Sequence, residues 1–282
     1  MAFAIGAVCL LALWIFLFCP GLRKRDEGLF RDWLYAHRGL HGAGIPENSM
    51  AAFRKAIEAG FGIELDVHVT SDGVAVVHHD GNLKRICGVD QNIRDLTLKE
   101  LEQIPLPDGS TIPTFAQVLE LVAGRVPLIV EIKHESGPIR AAEGAWNLLR
   151  NYQGNFSIES FHPLAVRYFR KNAPQVQRGQ LSSRNRMKLE NQSRFVCEVA
   201  GFILGHLWTN FLCRPDYIAY DELHDRVVER FLASRLFRAI PVAWTIRSPS
   251  QQLEATQKGY RCMIFEDYLP ENKKDQPASQ TL

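Results

Sequence analysis

Between residues 33 and 265, short apolar runs of strand length alternate with stretches of helix length, a pattern that few folds accept. The strand-like runs fall at residues 33–37, 62–67, 74–78, 127–132, 155–160, 176–181, 216–220, 241–246 and 261–265. Helical patterns lie near residues 49–59, 114–123, 163–172, 225–236 and 249–258. Repeated βα alternation implies a parallel sheet, because a parallel neighbour is reached only through a crossover. About eight strands in about 230 residues fit a closed (β/α)8 barrel better than an open sheet. Punctuation supports the first unit: Ser49, or Asn48 before it, can cap a helix that stops at Gly60, and the chain restarts as a strand at Gly62.

Two of the strands carry charge where strands rarely do. In Gly62-Ile63-Glu64-Leu65-Asp66-Val67, period two sends both carboxylates to one face, and Pro127-Leu128-Ile129-Val130-Glu131-Ile132-Lys133 does the same for Glu131 and Lys133. Burying three acids and a lysine is costly without a partner charge. Three carboxylates without a clustered cysteine describe a hard oxygen site suited to Mg²⁺ or Ca²⁺ rather than Zn²⁺. The bland alternative is a salt-bridge network in which Glu64 and Asp66 pair with Arg38 or Lys133. His37 and His79 are the natural acid and base, since imidazole alone titrates near neutrality without help. Arg38 offers a planar donor fork for phosphate oxygens and Lys133 a second positive contact. His68 shares the face of Glu64 and Asp66 and is a candidate to support them; the other six of the nine histidines are read as packing or surface residues. Trp244, in the late strand Val242-Ala243-Trp244-Thr245, either walls a substrate pocket or packs in the core.

Lys plus Arg number 33 against 31 Asp plus Glu, a formal charge of +2 that argues against nucleic acid as a partner, and the 46% hydrophobic content argues against disorder. Residues 2–19 are uncharged and apolar; at about 1.5 Å per residue they reach about 27 Å, close to the thickness of a bilayer core. No positive segment precedes them and no small-residue cleavage site follows, so the expectation is an uncleaved single transmembrane helix. Arg23, Lys24 and Arg25 come directly after it and favour a cytoplasmic catalytic domain. The six cysteines show no Cys-x-x-Cys spacing; two lie in the apolar run, and the other four read as small buried apolar side chains, which fits a reducing compartment. A second apolar stretch, residues 199–213, follows Arg184, Arg186, Lys188 and Arg194; it reads as a barrel helix or as one lying on a membrane.

The motifs His37-Arg38-Gly39, Pro46-Glu47-Asn48, Glu64-Leu65-Asp66-Val67, Asp72-Gly73, Val76-Val77-His78-His79-Asp80 and Glu131-Ile132-Lys133 occur in that order. In this the chain resembles the glycerophosphodiester phosphodiesterase family, over roughly residues 34–270. The resemblance implies a TIM (β/α)8 barrel with an insertion from His79 to about Pro113. It implies a divalent cation held by Glu64, Asp66 and Glu131, acid and base roles for His37 and His79, and phosphate contacts from Arg38 and Lys133. His79 is expected to act first as base and His37 as acid, the roles reversing in the second half of the reaction. The implied reaction is hydrolysis of a glycerophosphodiester to glycerol 3-phosphate and an alcohol through a cyclic phosphate. Alternatives are a lysophospholipase D acting on membrane lysophospholipids and a non-catalytic, membrane-tethered binding module. At the carboxyl end, Phe265-Glu266-Asp267-Tyr268-Leu269-Pro270 departs from the family's Thr-Asp-x-Pro. The expected organisation is a transmembrane anchor at 1–20, a juxtamembrane linker at 21–33, the barrel at 34–270 and a polar tail at 271–282.

Overall fold

In the computed structural model, which describes residues 1–31, 33–184 and 193–271, the run Gly62–Val69 is a fully buried strand whose alternate side chains part company. Ile63, Leu65, Val67 and Val69 pack outward against Phe53, Phe115 and Val118, whereas Glu64, Asp66 and His68 take the opposite, inner face. This division recurs around a closed barrel. In chain order the elements are α1 (Ala2–Phe18), α2 (Gly28–Arg31), β1 (Leu34–Ala36), α3 (Met50–Glu58), β2 (Gly62–Val69), β3 (Ala75–Val77), α4 (Lys84–Cys87), α5 (Leu98–Leu101) and α6 (Phe115–Val122). There follow β4 (Leu128–Ile132), α7 (Pro138–Leu149), β5 (Phe156–Ser160), α8 (Pro163–Asn172), β6 (Gln177–Ser182), α9 (Arg194–Gly205) and α10 (Asn210–Cys213). The chain closes with β7 (Tyr217–Asp221), α11 (Val228–Arg235), β8 (Ile240–Ile246), α12 (Pro249–Gln257) and β9 (Cys262–Phe265).

Eight of the strands are parallel, in the order β1-β2-β4-β5-β6-β7-β8-β9, and pairing of β9 with β1 shuts the ring. The chain is therefore a TIM-type barrel. Strand β3 is the exception: it pairs antiparallel with β2, Val67 opposite Val77, so the run at 74–78 is a hairpin arm rather than a stave. From there to Ile112 the insertion encloses a small core of its own around Val76, Leu83, Ile93 and Leu101. Helix α7 had no counterpart in the sequence reading.

The floor of the barrel is aromatic. Tyr35 and Tyr217 fill it with Ile129, Leu181 and Ile264, and Phe30 of α2 closes it from below, its ring 4.7 Å from that of Tyr217. Gly179 makes room: a Cβ there would stand 2.1 Å from the Tyr217 ring.

The expected transmembrane helix is not found as such. Helix α1 has 17 residues, about 25 Å at the usual rise, and among the described residues no helix is long and apolar enough to cross a membrane. The sequence reading scored hydropathy, which is blind to packing, and the end of this helix packs on the barrel. Phe18 is buried with Leu207, Ile218 and Tyr220; the Trp14 Nε1–H donates to Glu229 at 2.9 Å; and Asn210 donates to the Phe18 carbonyl at 2.8 Å. Farther toward the N-terminus, Phe3, Ile5, Val8, Leu10 and Leu13 face solvent. The apolar stretch at 199–213 divides between α9 and α10; Gly201 and Gly205 are buried, while Phe195, Val199 and Phe202 are exposed. Arg186, Lys188 and the tail from 272 lie outside the described residues.

The chain leaving α1 is fastened by Asp216, which is fully buried and accepts from Arg23 Nε at 2.7 Å and from the Arg178 backbone N–H at 3.1 Å. Removing one partner of such a pair strands the other charge. Asp216→Ala is expected to lower stability by about 3 kcal/mol; an unchanged midpoint in urea unfolding would contradict this account of the junction.

Candidate active site

Every predicted site residue except Trp244 sits in the first three staves, in the hairpin arm β3, or in the turns just after them. His37 and Arg38 follow β1, Glu64 and Asp66 lie in β2, His79 follows the β3 arm, and Glu131 and Lys133 end β4. Parallel register sets Asp66 beside Glu131 and Glu131 beside Glu159 of β5. Carboxylate oxygens of Glu64, Asp66 and Glu131 come within 4.8 Å of one another, all three residues buried. Lys133 Nζ bridges two of them, 2.8 Å from Asp66 and 2.9 Å from Glu131. Both readings of these acids, cation site and ion-pair network, thus have a footing in the geometry.

Electrostatics discriminates among the acids. Burial, reinforced by Asp66, Glu131 and Glu159, raises the Glu64 carboxyl well above its usual range, and burial also raises Glu131. Burial pushes Asp66 the same way, but Lys133, His79 and Arg38 outweigh it and hold the group well below. Lys133 is driven upward: burial disfavours its charge, and Asp66 and Glu131 more than compensate. Two of the three acids therefore lack enough positive charge among the protein's own groups. An all-oxygen donor set with that deficit fits a hard divalent cation.

The turn after β1 is built for its task. Arg38 takes φ 55°, unusual for a residue with a side chain, and Gly39 takes φ 78° where a Cβ would stand 2.9 Å from Ala52. This puts the Arg38 N–H on Glu64 at 3.0 Å, its Nη1 on Glu47 at 2.9 Å and its Nε 3.6 Å from Asp66. Asn48, also left-handed at φ 55°, donates to Asp66 at 2.7 Å, while Ser49 caps α3. Of the two candidate caps, Ser49 caps the helix and Asn48 orients an acid.

Each imidazole is held by a carboxylate at Nδ1. His37 Nδ1 bonds Glu266, leaving Nε2 3.9 Å from Glu64; His79 Nδ1 bonds Asp80 at 2.6 Å. A carboxylate at Nδ1 selects the tautomer with Nε2 free. Burial lowers the His37 pKa, the Glu266 hydrogen bond opposing. Asp80 stays well below its usual range because His79 and Arg85 outweigh its burial. Arg85 also grips Glu47 at 2.6 Å, so a continuous charge chain runs from His79 through Asp80, Arg85, Glu47 and Arg38 to Asp66. His68 bonds the His79 carbonyl and Ser136 Oγ, each at 3.1 Å, a supporting place for that residue. Trp244 packs against the interior aromatic cluster, its ring edge-on to Phe161 at 5.5 Å.

Two residues escaped the sequence reading. Glu159, buried and pushed upward by burial and Glu131, adds a fourth acid to the barrel interior; its inward position in the alternation of Phe156–Ser160 was the available signal. Glu266 directly follows β9, beside the β1 end that carries His37.

A (β/α)8 barrel with three carboxylates placed to hold a cation and two oriented imidazoles at its carboxyl rim has the layout of a metal-assisted hydrolase. Residues 37–268 match the model of the Glycerophosphoryl diester phosphodiesterase family, and the chain belongs to that family. It is 34% identical over 159 residues to a glycerophosphodiester phosphodiesterase of Caldanaerobacter subterraneus subsp. tengcongensis, covering 52% of this chain and 65% of that one. A human lysophospholipase D is 39% identical over 114 residues, 39% of this chain and 35% of that one. Among solved structures, a glycerophosphodiester phosphodiesterase of Thermotoga maritima is 27% identical with a TM-score of 0.61, covering 86% of this chain and 96% of that one. An Oleispira antarctica phosphodiesterase, 22% identical, shares the fold with a TM-score of 0.67, covering 86% of this chain and 94% of that one.

Asn48→Ala is expected to weaken Mg²⁺ or Ca²⁺ binding about 10- to 100-fold by releasing Asp66, and Glu64→Gln to weaken it further. Calorimetric titration checks both; wild-type affinity in the Glu64 variant would remove that acid from the cation site.

Proposed function

We propose that this chain hydrolyses glycerophosphodiesters to glycerol 3-phosphate and an alcohol. The carrying observation is the convergence of Glu64, Asp66 and Glu131 with two histidines whose Nε2 atoms are free, on the scaffold of this family. The Oleispira relative, whose structure holds sn-glycerol-3-phosphate, supports the product side. A divalent cation held by the three acids, Mg²⁺ or Ca²⁺, would offset the charge of the phosphoryl oxygens and lower the pKa of a nearby hydroxyl. Arg38 presents its guanidinium from the β1 turn, and Lys133 its ammonium from the end of β4.

The histidines exchange a proton in two halves. In the first, one imidazole takes the proton of the glycerol 2-hydroxyl as its oxygen bonds to phosphorus, and the other gives a proton to the departing alkoxide. In the second, the imidazole left neutral takes a proton from water, which opens the cyclic phosphate, and the ring oxygen receives the proton stored on the first. Carboxylates at both Nδ1 atoms stabilise each ring when it is charged.

His37→Ala and His79→Ala are each expected to lower kcat by about 10²- to 10⁴-fold with an unchanged circular dichroism spectrum. Excess chelator should abolish turnover, and added Mg²⁺ or Ca²⁺ should restore it. Phosphorus NMR of the products decides the cleaved bond: phosphocholine from glycerophosphocholine, in place of glycerol 3-phosphate, would reject the scheme.

The sequence expectation of a cytoplasmic barrel held at a membrane rests on the apolar residues of α1, which remain solvent-facing from Phe3 to Leu13. Cell fractionation of the full chain should recover it with membranes; recovery in the soluble fraction would reject that part of the reading.

A further inference from the structure

The amino end of the barrel carries a hollow of about 630 Å³, between the end of α11 and the turn from α12 into β9, beside Ile240 and Pro241 at the start of β8. Strand β8 has seven residues, so about 20 Å of strand separates this hollow from the acid layer at the carboxyl rim. Arg230, Arg235, Arg238, Lys258 and Arg261 line it, against a single acid, Glu27, among the described lining residues.

Their partners divide these cations. Arg230 lies 3.4 Å from Asp225, and Lys258 lies 2.7 Å from Glu222 and 3.0 Å from Glu254, so both are answered by acids of the surrounding barrel. Arg261 bonds Glu27, a carboxylate it shares with Arg31. The guanidinium groups of Arg235 and Arg238 are exposed and have neither a carboxylate nor another acceptor among the described residues.

A cation at a helix end is ordinary in a barrel, because the last carbonyls carry partial negative charge. That accounts for Arg235 and Lys258. It does not account for Arg238, which lies beyond α11 at φ 58°, nor for Ser234, which lines the same hollow with a hydroxyl shut off from solvent and without a hydrogen-bond partner. Each helix end supplies about half a negative charge, and the two unpaired guanidiniums exceed it. The loop that carries Arg238 is held in place: Arg25 donates to the Arg238 carbonyl at 2.9 Å, and the Phe237 ring lies 5.9 Å from that of Phe18 at the end of α1.

We infer that this hollow is a second, non-catalytic site that binds a phosphomonoester dianion, held by Arg235 and Arg238 with the Ser234 hydroxyl donating to a phosphoryl oxygen. Two unpaired guanidiniums match the two charges of a monoester, and their forks match phosphoryl oxygens. The remaining volume, against Phe231 and Pro241, takes the group that the phosphate esterifies. A phosphodiester carries one charge and is the weaker ligand. The inference does not depend on the phosphodiesterase reading. The monoester reaches the site free in solution or on a lipid head group, since the hollow adjoins the junction with α1.

Calorimetric titration of the full chain compares glycerol 3-phosphate with dimethyl phosphate, with chelator in excess so that cation-dependent binding at the acids is silent. Glycerol 3-phosphate should bind the tighter. Arg235→Gln combined with Arg238→Gln should weaken it about 10- to 100-fold, and Ser234→Ala should weaken it less. Sedimentation with phosphatidylcholine vesicles carrying phosphatidate, a monoester, or an equal share of phosphatidylglycerol, a diester, reads the lipid source. A preference for the monoester that disappears with the two arginines, in either arm, supports the site and names its source. Absence of a monoester preference in both arms, or a preference that survives the double substitution, overturns it.

Discussion

Four carboxyl groups buried at one end of a barrel set the terms for everything around them. Glu64, Asp66, Glu131 and Glu159 have almost no contact with solvent, and adjacent parallel strands place three of them side by side. At an effective dielectric of about 20, two unit charges about 5 Å apart repel by roughly 3 kcal/mol. Lys133 and Arg38 hold Asp66 low, whereas the contacts of Lys133 with Glu131 and of Arg38 with Glu64 do not offset burial, and Glu64, Glu131 and Glu159 are all shifted upward. A divalent cation bound among Glu64, Asp66 and Glu131 would remove this frustration where it is greatest, and the energy stored in the cluster would be recovered on its binding.

Such a cluster persists only if its support cannot rearrange. The support is the double life of each stave. Ile63, Leu65 and Val67 fix β2 against the helices while Glu64 and Asp66 project from its other face; a one-residue slip would bury the wrong set. Below the acids, Tyr35, Tyr217 and Phe30 fill the interior and keep the charged layer at the rim. The polar clamps are equally local: Asn48 holds Asp66 from a left-handed backbone position, and the Arg38 N–H holds Glu64. Strain in those turns is maintained by α3, which packs directly beneath them.

What could be read from the sequence follows from what short-range pattern encodes. Period two located the barrel strands within a few residues and put Glu64 with Asp66, and Glu131 with Lys133, on common faces. It could not tell that Ala75–Val77 runs antiparallel, because a three-residue apolar run looks alike as hairpin arm or stave. Hydropathy suggested a bilayer span for residues 2–19, but it carries no information on Glu229 and Asn210, more than 190 residues away, which tie the end of α1 to the barrel. Asn48 was legible as a cap and Glu159 as one inward acid among hydrophobics. Their contacts with the site depend on neighbours that only closure of the ring supplies.

Glu266 shows the same point from the catalytic side. Barrel closure sets Phe265 of β9 opposite Ala36 of β1, so the residue after one strand meets the residue after the other. A carboxylate there does for His37 what Asp80 does for His79, from an unrelated loop, and each ring is left with the same nitrogen free. Two imidazoles that must alternate as donor and acceptor need matched tautomers, since a ring protonated at Nε2 in its neutral form could not begin as a base there. The local sequence around Glu266 departs from the family pattern, yet the position supplies the charge that the proposed proton relay would require.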